Sequence, residues 1–181
     1  MKMSEVKYFL IVLCCGIMAA GVAVNVPRGF NGSMFYLKSA VIEKDFKKAR
    51  HYAGEAAGIA RTPEQKLELR FQEAVIEAGT GNFAGAENIL GAISGDRALD
   101  AGSRFKAFAV SLALKAVKDK ALPDVRQLKE QAAQLRDAGL AASREYAALN
   151  AAAALMISLG QDGCAQSLIA LADTLYEHKT K

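Results

Sequence analysis

Tryptophan is absent from this chain, and only two histidines occur, His51 and His178. Neither has a cysteine, a second histidine or paired carboxylates at ligand spacing, and a zinc site needs three or four such groups. Cysteine is scarce too: Cys14 and Cys15 lie side by side in an apolar run, and Cys164 stands alone. That pattern offers neither metal-ligand spacing nor a disulfide framework, and it leaves the redox compartment open. Cys15 does not make a lipoprotein site, because Cys14 fills the preceding position where glycine, alanine or serine is expected. Prolines are few, at 27, 63 and 123, so helices have long stretches without a breaker. No phosphate-cradling glycine loop occurs, since Gly79 and Gly81 only flank a turn. No metal, cofactor or catalytic group is expected.

The apolar fraction is 52% while aromatics reach only 7%, and much of the difference is alanine. Alanine is the best helix former and takes little room, so the expected fold is all-α with close helix contacts. At 181 residues the chain suits one compact domain or a short repeat array. Net charge is +4, but residues 1–30 contribute half of it and the rest carries 20 basic against 18 acidic side chains. Nucleic-acid binding draws its affinity from a concentrated basic face. The densest cluster, Lys44, Lys47, Lys48 and Arg50, is interrupted by Asp45 and reads as a solvated helix face. Nucleic acid is not an expected partner.

Residues 8–26, YFLIVLCCGIMAAGVAVNV, contain no charge over nineteen positions. As a helix they span roughly 28 Å, close to the hydrocarbon thickness of a bilayer. The expected organisation is a transmembrane anchor in residues 1–30 and a helical domain in residues 31–181. A cleaved signal peptide is the alternative, with Gly21-Val22-Ala23 as its small-x-small site, although its apolar region is normally shorter. Lys2, Lys7 and the terminal amine favour a cytoplasmic N-terminus, which puts the remainder in the periplasm of an inner-membrane protein. Gly16, Ala20 and Gly21 are small residues through which the anchor could pack on another membrane helix.

Beyond the anchor, a spacing recurs. Ala86, Leu90 and Ile93 repeat in kind as Ala49, Ala53 and Ala56, as Leu128, Ala132 and Leu135, and as Ala165, Ile169 and Ala172. The anchors are separated by 37, 42 and 37 residues, the range of helical-hairpin repeats. Turns at Lys44-Asp45, Gly81-Asn82 and Gly160 precede three of them, and Gly139 ends a further helix. Thr62-Pro63-Glu64-Gln65 combines an N-cap, a first-turn proline and a capping-box glutamine. Pro123 after a longer turn opens the next helix and accounts for the long middle spacing. These signals predict eight helices, at 33–44, 46–60, 63–79, 83–93, 99–118, 123–138, 141–159 and 162–178.

This pattern resembles the tetratricopeptide repeat family in a degenerate form. Ala86, Leu90 and Ile93 match the small–large–small signature of that family's second helix, as do Ala165, Ile169 and Ala172. Leu149, Ala152, Ala153 and Met156 fit its first-helix positions. The proline that commonly closes a unit is missing after Ile93 and Ala172. The resemblance implies a solenoid of hairpins whose first helices line a peptide-binding groove, with Lys38, Gln72, Lys106 and Asn150 as its polar candidates. A compact helical bundle is the competing architecture. Among carboxylates, Glu73 and Glu77 with Arg70 read as an exposed ion-paired face, and Cys164 as a small residue at a helix crossing. The expected function is therefore a membrane-anchored scaffold for other proteins, within a membrane complex and without a small-molecule substrate. A periplasmic chaperone-like binder is the second expectation.

Overall fold

The computed structural model describes residues 29–177. Among them are eight α-helices and no strand: α1 (Phe30–Ile42), α2 (Phe46–Ile59), α3 (Pro63–Gly79), α4 (Phe83–Gly95), α5 (Ala101–Lys118), α6 (Val125–Arg136), α7 (Ala142–Ser158) and α8 (Asp162–Glu177). The all-helical reading holds, helix by helix. No helix among the described residues is long and apolar enough to cross a membrane, and segment 8–26, with Gly16, Ala20 and Gly21, lies outside them.

The helix starts follow from local chemistry. Before α3, the Thr62 hydroxyl accepts from the Gln65 amide at 3.2 Å, while the Gln65 side chain accepts from the amides of Thr62 and Arg61. That is a reciprocal capping box, satisfying donors the helix itself leaves open. Asp45, Asn82 and Asp100 cap α2, α4 and α5 in the simpler way, each accepting from the amide three residues on. The start of α6 departs from expectation. Asp124, not Pro123, sets it: its carboxylate accepts from the amides of Arg126 and Gln127, and Pro123 is buried just outside.

The helix ends repeat more strictly than the sequence does. After α1, α3, α5 and α7 the chain passes through a left-handed residue: Lys44 (φ 58°), Gly81 (83°), Lys120 (52°) and Gly160 (74°). In each case the next amide reaches back five residues, to Ala40, Glu77, Ala116 and Met156, at 2.8–2.9 Å. The left-handed residue's own amide reaches back three, to Val41, Ala78, Val117 and Ile157. This double closure is the Schellman motif. Gly139 repeats it after α6, with the Leu140 amide on the Leu135 carbonyl.

The described residues divide into two compact units, up to Leu69 and from Arg70, with the division inside α3. In the first unit α1 packs on α2, and Phe30, Met34 and Leu37 of the one helix and Ala49, Ala53 and Ala56 of the other are buried. In the second, α5 takes α4, α6 and α7 against itself, and α7 in turn takes α8. Among the described residues, nineteen of the thirty-nine buried apolar side chains are alanine, so small side chains and not aromatic bulk fill much of the interior. Eleven of the twelve spacing positions named above are buried. Ile169 is the exception: it is half-exposed, and Leu168 takes the inward place. The α8 stripe runs Ala165, Leu168, Leu171 and Ala172, stepping by three where the other units step by four.

Candidate functional site

The four polar residues expected to line a groove are all half-buried, and three of them have a partner within the chain. In the first unit, the Lys38 ammonium pairs with Glu68 at 2.5 Å. In the second, Lys106 Nζ stands 4.4 Å over the Phe71 ring, which neighbours Gln72 in sequence. The Asn150 amide donates to the Tyr146 carbonyl at 2.9 Å, so one arm of that amide is spent on its own helix. Lys106 of α5 thus meets α3 through Phe71, while Asn150 turns back onto α7.

An open cavity of about 360 Å³ lies elsewhere, on the solvent side of α5. Its floor is Phe108 and Leu112, both half-buried, with Ser111 between them. Lys115, Lys118 and Asp119 at the end of α5, Glu87 of α4 and Gln127 of α6 complete its lining. At 100° per residue this stripe is on the opposite side of α5 from Lys106. The cavity joins an apolar floor to charges of both signs, an arrangement suited to an amphipathic protein segment more than to a small polar metabolite. Sequence reading missed it. The signal was there: Phe108, Leu112 and Lys115 recur at steps of four and three on a face where a surface helix is usually polar throughout.

The titratable groups singled out from sequence have structural surroundings. Burial pushes the Glu73 carboxyl above its ordinary value; Glu77 adds to that and Arg70 opposes it. Glu73 is therefore not the freely exposed ion pair expected of it. Glu77 accepts from the Asn82 side-chain amide at 2.6 Å, tying the end of α3 to the cap of α4. Burial also raises the Cys164 thiol, which points its sulfur at the Ala121 carbonyl 3.6 Å away, surroundings that disfavour a thiolate. His51 is exposed, with Nε2 3.3 Å from Glu55; His178 lies outside the described residues. Among the described residues no three metal-ligating side chains gather in one place.

Among the described residues one charged side chain is buried. Glu145 is only 2% exposed, and Arg136 Nη2 donates to both of its carboxylate oxygens at 2.9 and 3.1 Å. The pair closes the α6–α7 turn at Gly139 and stands apart from the cavity residues. Nearby, the buried Gly102 leaves room for Arg144 to lie on the α5 N-terminus, where it bonds Asp100 at 2.8 Å. Burial raises the Asp100 carboxyl, but Ser103 and Arg144 outweigh it and hold the group below its ordinary value. Both pairs are fittings of the fold. Set against known family models, curated proteins and solved structures, this chain finds no match.

Proposed function

We propose that the protein is a membrane-anchored scaffold that binds other proteins, an accessory or assembly subunit of a larger membrane complex. In this reading residues 8–26 form a single transmembrane span, the N-terminus is cytoplasmic and the helical domain is periplasmic. The domain is a degenerate set of tetratricopeptide-like hairpins, and it acts by binding and not by catalysis. Support for the repeat comes from the four hairpin turns, which share one backbone conformation at 44, 81, 120 and 160. Confinement to a membrane raises the effective concentration of a weak surface near its partner.

The observation that carries the binding role is the α5 cavity, lined by Phe108 and Leu112 together with lysines, aspartate and glutamate. A charge on its floor should expel an apolar partner side chain without touching the core, because Leu112 is not fully buried. Full-length protein extracted in mild detergent should migrate within a defined complex, and Leu112→Glu should migrate alone with an unchanged helical circular dichroism spectrum. Retention of the variant in the complex removes the α5 cavity from this role. Migration of the unsubstituted chain alone counts against the scaffold. Gly21-Val22-Ala23 supports the second reading, a released periplasmic chaperone-like binder, and a mature chain beginning near Asn25 would favour it.

A further inference from the structure

Helix α1, FNGSMFYLKSAVI, carries a single charged side chain, Lys38, which is engaged by Glu68. One side of it is core. The other should be polar in a helix that faces water, yet it bears Phe35, half-buried, with Tyr36 and Ile42 each 43% exposed. Tyr36 stacks on Tyr52 of α2, with centroids 5.4 Å apart and planes at 27°. Phe35 meets Tyr36 edge-on at 5.6 Å, and His51 lies 5.4 Å from Tyr52. Ile59, seven residues beyond Tyr52 on the same edge of α2, is also exposed. The α1–α2 turn and the first turn of α2 carry the exposed Lys44, Lys47 and Lys48, of which Lys48 pairs with Asp45 at 3.0 Å. Three of the four exposed large hydrophobics among the described residues belong to this one hairpin.

The chain's approach to the patch limits what can cover it. The uncharged run ends at Val26, four Cα steps before Phe30, so α1 starts within about 14 Å of that run. Tyr36 is six residues further, about 9 Å along the helix. The polar layer of a bilayer is about 5–8 Å thick on each side, so Tyr36 reaches it when α1 runs along the membrane surface and not away from it. Tyrosines with an apolar body and a polar tip, on a hairpin that also carries lysines, are the side chains enriched in that layer. We infer that the Phe35–Tyr36–Ile42–Tyr52 face of the α1–α2 hairpin lies in the headgroup layer of an anionic bilayer. This rests on the reading of residues 8–26 as an anchor; it adds that the first hairpin is itself a membrane-contacting element.

Because the chain has no tryptophan, Tyr36→Trp supplies a single emitter in place of an aromatic ring. Lys129→Trp, on exposed α6, is the matched control. Each full-length variant is reconstituted in phosphatidylcholine–phosphatidylglycerol vesicles with or without bromine on the upper acyl chains. Emission of Tyr36→Trp should fall about twofold on brominated lipid and resist iodide, while Lys129→Trp responds only to iodide. If the chain floats with the vesicles but Tyr36→Trp is quenched by iodide and not by bromine, the face is in water and the inference fails while the anchor stands. If Tyr36→Trp is shielded from both and dilution restores iodide access, a second copy covers the face and the inference again fails. Failure of the chain to float after an alkaline wash overturns the inference and the anchor together.

Discussion

Two carboxylates in this protein sit in unlike surroundings and should behave oppositely when altered. Glu73 is held above its ordinary value by burial, so the folded chain binds its proton more tightly than the unfolded chain does. Folding is thereby disfavoured once pH rises above the ordinary carboxylate range, and fully so above the raised value. Glu73→Gln should therefore raise the melting temperature at neutral pH, and the gain should fade as pH falls below the ordinary range. Thermal melts across that window check the sign. Glu145 is more deeply buried but paired. Arg136→Ala strands its carboxylate and should cost about 2–3 kcal/mol in urea unfolding, below the full penalty for a broken buried pair because Arg136 is 46% exposed and water can enter. The double replacement Arg136→Met with Glu145→Met should recover most of that loss, since removing both charges leaves none unpaired.

At the scale of the helix, the hairpin turn invites a symmetrical experiment. Gly81 and Gly160 adopt the left-handed conformation without a Cβ penalty, whereas Lys44 and Lys120 adopt it with one. Lys44→Gly should stabilise by about 0.5–1 kcal/mol, the relief of strain exceeding glycine's added freedom in the unfolded chain. Gly81→Ala should destabilise by about 1 kcal/mol. Equal effects of one sign at the two sites, by chemical denaturation, would mean that the turns are not equivalent. The glycine turns and the Thr62 capping box were legible in sequence because each depends on neighbours within five residues. The Lys120 turn and the Asp124 cap were less so. A lysine gives no warning of a positive φ, and a proline near a helix start reads as its first position, whereas Pro123 precedes the Asp124 cap. Ile169 was misplaced inward for a related reason, as a pattern of four-residue steps does not tell Leu168 from its neighbour when both are apolar.

For the whole molecule, the membrane reading has a direct consequence. Full-length protein should stay with membranes through alkaline carbonate extraction, and deletion of residues 8–26 should release it to the supernatant; release of the intact chain would remove the anchor. Composition and spacing by themselves determined the helical class, the eight helices among the described residues and eleven of the twelve repeat positions that face inward. Those follow from alanine content, from capping chemistry and from a period of 3.6 residues, all properties of short stretches. Only the tertiary structure decided which surfaces stay open. The α5 cavity exists because α4 and α6 bring Glu87 and Gln127 beside Phe108 and Leu112. The aromatic face exists because α2 sets Tyr52 against Tyr36. Glu73 and Glu145, both plain carboxylates in sequence, acquired different characters from burial and from one guanidinium nine residues before Glu145. Exposure and pairing depend on residues far apart in the chain, and no local pattern encodes them.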